Sequence, residues 1–122
     1  MWPEIKMFRF ESLLIWKAAI GFSKDVYKLT KELPKEEIFA LGDQLRRASV
    51  SISANIAEGS GSSTTKDFKN YLSISIKSSL EVVSLLMIAK ENDYISEQQL
   101  SVLYNQAEIL IKQIRAFKNS LL

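Results

Sequence analysis

Ile15, Ala19, Phe22, Val26, Leu29 and Leu33 alternate spacings of four and three, the repeat that places apolar residues on one face of a helix. Ile38, Leu41, Leu45, Ala48, Ile52 and Asn55 repeat the pattern, and Phe68, Leu72, Ser75, Ser79, Val82, Leu86 and Ala89 do so again. Leu100, Leu103, Ala107, Leu110, Ile114 and Phe117 make a fourth stripe. Four amphipathic helices are predicted, at about 12–32, 35–58, 65–91 and 97–119. Pro34, followed by Glu36 and Glu37, suits the first turn of the second helix. Gly59 and Gly61 are expected in the left-handed conformation that ends it. Thr64 or Thr65 would cap the third helix, Asn92-Asp93 would end it, and Ser96 with Gln99 makes a capping box for the fourth. Connections of about three to six residues force antiparallel neighbours, so the fold class is all-α, an antiparallel up-down-up-down four-helix bundle spanning residues 1–122 as one domain.

Composition narrows the chemistry. The chain has 122 residues, no cysteine and no histidine. Disulfides, thiolate nucleophiles, imidazole bases and the Glu-x-x-His pairs of di-metal bundles are excluded, and no cofactor or metal is expected. Enzymatic catalysis and a small-molecule substrate are not expected either. Pro3, Glu4, Lys6 and Arg9 precede any apolar run, so no signal peptide is apparent. The apolar stretches Leu13 to Phe22 and Val82 to Ala89 fall short of the ~20 residues of a membrane span. The expected setting is cytoplasmic, away from any membrane.

The segment Gln44 to Gly59 breaks the apolar pattern, setting two arginines, three serines, an asparagine and a glutamate into a helix. Buried polar groups need partners, within the chain or on another subunit. Arg47, Ser51, Asn55 and Glu58 fall within about 80° of one another at 100° per residue and form one column. Glu58 lies at the helix end where the macrodipole disfavours an anion, so a cationic partner is expected. An Arg46–Glu81 ion pair across the hairpin is predicted, with Arg47 serving Glu58 of a neighbouring subunit. Gln44, Arg46, Arg47, Ser51, Asn55, Glu58 and Glu81 thus form a candidate structural and assembly network, in which Asn55 would set register.

Two further surfaces stand out. Ile76, Leu80, Val83 and Met87 make a second apolar stripe on the third helix, the mark of an intersubunit contact or of a wide core face. A homo-oligomer is expected from it, and closed rings are the form of self-association that avoids fibres. Lys17, Lys24, Lys28 and Lys31 share the outer face of the first helix. In a ring they would sum to a phosphate-attracting surface; alternatively they are a solvated face balanced by Asp25 and Glu32. The net charge of +2 is mild for a nucleic-acid domain. The Gly/Ser/Thr loop after Gly59 lacks the Gly-Lys-Ser/Thr of a phosphate-binding loop and reads as a connector. Tyr27 is expected over Gly42, and Trp2 and Phe8 form either an anchoring arm or a frayed tail.

The run Arg-Ala-x-x-Ser-Ile-x-x-Asn-Ile-Ala-Glu-Gly from Arg47 to Gly59, with Gln44, Arg46, Leu13, Trp16, Tyr27, Leu33-Pro34, Phe68, Leu72 and Glu81, closely resembles the bacterial S23 ribosomal proteins, also called 23S rRNA intervening-sequence proteins. That resemblance implies a helical bundle assembling as a ring, typically a pentamer. A similar protein accompanies the reverse transcriptase of diversity-generating retroelements, where the ring binds nucleic acid and the polymerase. The implied partners are other copies of the chain and RNA or a nucleic-acid enzyme; the alternative is a protein-only adaptor. Two positions depart from the pattern: Ser60 to Ser63 lacks the basic residue often found after the Gly, and Ser78 replaces a usual glycine.

Overall fold

The computed structural model describes residues 8–122. A 3-10 turn, Arg9–Ser12, leads into α1 (Leu14–Thr30), and the short α2 (Lys35–Ile38) precedes α3 (Leu41–Ser60), α4 (Thr65–Glu91) and α5 (Glu97–Ser120). The four long helices form an all-α bundle with no strand among the described residues. Helix α1 packs on α3, α3 on α4, α4 on α5, and α5 back on α1, a closed square of neighbours. Ser23 meets Ser49 and Thr30 meets Arg46, while Asp25 meets Gln106 and Glu32 meets Gln99. Partner numbers run in opposite directions in both pairs of helices, so neighbours are antiparallel.

The apolar stripes meet in one core containing Phe22, Val26, Leu45, Ile52, Ile56, Leu72, Val82, Leu86 and Ile114, all fully buried. Phe68 and Phe117 close one end edge-to-face at 5.6 Å, with the Arg9 guanidinium 5.0 Å from the Phe68 ring. Phe10 packs edge-on to Trp16 at 4.9 Å, and the exposed Phe8 stacks on Phe10. Aromatic geometry here is packing geometry. Trp2 lies outside the described residues.

Three boundaries differ from the sequence reading. The predicted 35–58 helix is broken at Phe39-Ala40, where Ala40 has φ −114° and ψ −90°. The reason is Arg46, whose Nη2 donates to the Ile38 carbonyl at 2.7 Å and so takes the acceptor that a continuous helix would use. Gly59 does not end α3 in a left-handed turn; no glycine has positive φ, and the helix runs on to Ser60. Gly59 is instead a close-approach residue. A Cβ there would lie 2.6 Å from Tyr71 Cβ and 2.9 Å from Phe68 Cδ1, so α3 and α4 touch through its missing side chain. Pro34 is the N-cap of α2 and not its first helical residue.

The other ends follow their predicted chemistry. Thr64 Oγ1 accepts from the Asp67 N–H at 3.1 Å. Ser96 and Gln99 exchange both capping-box bonds, at 3.0 and 2.8 Å. Helix α4 stops in a Schellman turn: Asp93 takes φ 59°, its N–H donates to Lys90 O at 3.0 Å, and Tyr94 N–H donates to Ala89 O at 2.9 Å.

Helix α4 is long and apolar enough, by length and composition, to cross a bilayer, which the count of short apolar stretches missed. Half of that window lies inside the bundle, where Leu72, Val82 and Leu86 are covered by neighbouring helices.

Candidate functional site

The polar segment of α3 divides into two borders. Toward α1, Arg46 is the hub. Its Nη1 donates to Thr30 Oγ1 at 2.9 Å, and its Nη2 donates to Ile38 O and pairs with Asp43. Thr30 Oγ1 in turn donates a hydrogen bond to Tyr27 O at 2.7 Å. One planar fork therefore ties α1, the α2–α3 break and the first turn of α3 together. The predicted Arg46–Glu81 pair does not form: the break in the helix offers Arg46 a nearer carbonyl and carboxylate, and Glu81 is exposed. The atoms that would lie nearest a Cβ at Gly42, where Tyr27 was expected, are Arg46 Nη1, Glu37 O and Leu33 Cδ1, at 3.2 to 3.5 Å. Deeper on this border Ser49 donates to Arg46 O at 2.9 Å, which leaves Ser23 to donate to Ser49 across the helices at 3.1 Å.

Toward α4 the seam is built of hydroxyls. Ser75 Oγ donates to Ile52 O at 2.8 Å, Ser79 Oγ to Ser75 O at 2.9 Å, and Ser51 Oγ meets Ser78 Oγ at 2.8 Å. Asn55 Nδ2 donates to Ser51 O and Oγ at 2.8 and 3.0 Å. Asn55 thus bonds within its own helix, half-buried, and reaches α4 only through Ser51; it does not cross the core to set register. Ser78, the departure from the resembled pattern, is the hydroxyl that answers Ser51. No buried side-chain nitrogen or oxygen among the described residues lacks a partner.

Of the predicted column, Ser51 and Asn55 are joined, whereas Arg47 and Glu58 are exposed with no ion pair among the described residues. Gln44 and Glu81 are exposed as well. The second stripe of α4 also divides. Ile76 is buried at 8% exposure and Val83 packs on the core, while Leu80 and Met87 remain 50% and 44% exposed. Leu80 and Val83 border a shallow groove between α4 and α5, with Tyr104, Ile111, Lys112 and Arg115 across from them.

Lys17, Lys24, Lys28 and Lys31 are all exposed on the outer face of α1. The carboxylates expected to balance them turn away: Asp25 Oδ2 accepts from Gln106 Nε2 at 3.1 Å, and Glu32 Oε1 from Gln99 Nε2 at 3.3 Å. Tyr94 hydroxyl donates to Glu37 Oε2 at 3.4 Å. The Glu37 charge, then partial burial and that bond, with Glu36 adding to them, hold the phenol above its ordinary pKa. Among the described residues no three His, Cys, Asp or Glu side chains converge as metal ligands would.

The profile of the 23S rRNA-intervening sequence proteins matches residues 11–116, nearly the whole bundle. The chain belongs to that family. A crystal structure of a protein of unknown function from the S23 ribosomal protein family of Bacteroides thetaiotaomicron VPI-5482 shares the fold, with TM-score 0.80 at 24% identity over 88% of this chain and 100% of that one. No curated protein matches the sequence.

Within the family's Arg47–Gly59 run, the structure assigns internal work to Ser51, Asn55 and Gly59 and leaves Arg47 and Glu58 on the surface. Sequence reasoning missed the acceptors of Arg46. Asp43 stands three residues away, a legible helical spacing, but Thr30 and the Ile38 carbonyl come together only in the folded chain. It also missed Phe39, which the break in the helix leaves 80% exposed.

Proposed function

We propose that this chain is a non-enzymatic, self-assembling helical scaffold whose α1 lysine face binds structured RNA. The observation that carries the reading is the pairing on that face. Asp25 and Glu32 are engaged by glutamines of α5, and Lys24, Lys28 and Lys31 have no carboxylate in ion-pair range among the described residues. Helical spacing repeats these cations along one exposed face, and copies arranged around an axis multiply the field that attracts phosphates. The family's name, which refers to the intervening sequences of 23S rRNA, is in keeping with an RNA partner. Self-assembly rests on Leu80 and Met87, apolar side chains that the bundle leaves in water, and a ring of five copies is the form the S23 resemblance favours. The buried polar groups of α3 are all hydrogen-bonded within the fold, which supports a scaffold over a catalyst.

A mobility-shift titration against structured RNA at two salt concentrations tests the RNA role. Affinity should fall steeply with salt, and Lys24→Gln with Lys28→Gln and Lys31→Gln should weaken binding and flatten the salt slope by about one unit per lost phosphate contact. An absence of binding at low salt would leave a protein-only adaptor. Light scattering tests assembly separately: a monomer at micromolar concentration defeats it.

A further inference from the structure

The α2–α3 break does more than redirect the chain. It presents Phe39 to solvent at 80% exposure. Glu36 and Glu37 occupy the turn just before it and outnumber its one cation, Lys35. This is an aromatic knob with an acidic shoulder. The groove between α4 and α5 has the opposite character. Leu80, Val83, Tyr104 and Ile111 make its apolar lining, and Lys112 and Arg115 stand on its rim with Glu108, to which neither is ion-paired. Aromatic side chains seated in well-packed pockets are among the groups that carry most of the energy of protein contacts, and opposite charges across the interface fix its register.

We propose that Phe39 of one copy of this chain seats in the α4–α5 groove of a second copy, with Glu36 and Glu37 facing Lys112 and Arg115. The inference rests on the self-assembly reading above and names the two surfaces that would meet. Because knob and groove are different surfaces of one chain, the contact is head-to-tail, and repeated copies close into a ring where the rotation per step allows. Phe39 is 80% exposed in its own fold and is therefore available to the groove of a second copy.

The test uses the full chain, the knob variant Phe39→Asp, and the groove variant Leu80→Asp with Arg115→Glu, each checked for helix content by circular dichroism. Light scattering at micromolar concentration should give an oligomer for the wild type and the 13.9 kDa monomer for each variant alone. An equimolar mixture of the two variants should give twice the monomer mass and nothing larger, because only one productive contact survives between them. Leu14→Asp, at an equally exposed apolar position elsewhere, should leave the oligomer intact. A monomeric wild type overturns the self-assembly reading and this inference together. An oligomeric wild type whose mass survives both variants overturns this inference alone, as does a mixture that stays monomeric.

Discussion

Along α3 every buried hydroxyl is bonded, and the guanidinium of Arg46 is shared among three acceptors; between α4 and α5, apolar Leu80 stands half in water in a groove it shares with Lys112 and Arg115, neither of them ion-paired. The two regions show opposite solutions to the same mismatch between residue and environment. A polar group in the interior must be satisfied inside the fold, since leaving it unpaired costs about 1 to 3 kcal/mol. An apolar group at the surface carries no such demand and is satisfied only when something else covers it. The buried polar residues of the helix pattern therefore belong to the architecture, and Leu80 is where the proposed self-assembly can be tested.

The contrast can be broken most forcefully at Arg46. Arg46→Ala strands the Ile38 carbonyl and Asp43 and should cost roughly 2 to 3 kcal/mol in urea unfolding, with assembly at temperatures where the chain stays folded little changed. A cost under about 0.5 kcal/mol, the range of ordinary surface substitutions, would show that the hub is ornamental. Gly59→Ala forces a methyl against Tyr71 Cβ, so α3 and α4 must part. A loss of about 1 to 3 kcal/mol is expected, visible as a lowered Tm, and an unchanged Tm would mean that the seam yields freely.

The groove should respond in the reverse sense. Leu80→Gln is expected to move unfolding free energy by no more than about 0.5 kcal/mol while weakening self-association in sedimentation; a large stability loss with unchanged mass would assign Leu80 to the core instead. The smallest effect concerns pH alone. Tyr94 has a raised pKa in the folded chain, so its contribution to stability is full below the ordinary value of 10.0 and is lost as pH climbs through the folded-state value. Tyr94→Phe should remove that alkaline loss and leave neutral stability profiles parallel. An unaltered alkaline limb would show that the Glu37 contact has no energetic weight.

Helix periodicity, capping boxes and short connections made the bundle legible, because a 3.6-residue repeat and a Ser96–Gln99 pair are local properties of the chain. The candidate site was legible only in part. Arg46, Ser51 and Asn55 could be singled out as polar residues in an apolar pattern, yet their partners Thr30, Ile38 and Ser78 lie up to 27 residues away and are chosen by packing. Asn55 looked like a core residue by phase, but Ser51 stood close enough on the same helix to take its amide first. The second stripe of α4 shows the same limit: Ile76 and Leu80 are alike in sequence, and only the packing of the folded bundle buries one and leaves the other half exposed.

The chain by itself therefore determined that four amphipathic helices form, where most of them stop and which faces turn inward, since each depends on residues within a turn or two of one another. Membership of the family was equally a matter of sequence, since the family profile matches residues 11–116. Tertiary structure alone decided that Arg46 breaks the second helix, that Gly59 is a contact and not a stop, and that Phe39 and Leu80 face solvent. Those outcomes depend on which surfaces of distant helices arrive within hydrogen-bond or van der Waals reach, a distance that no local spacing encodes.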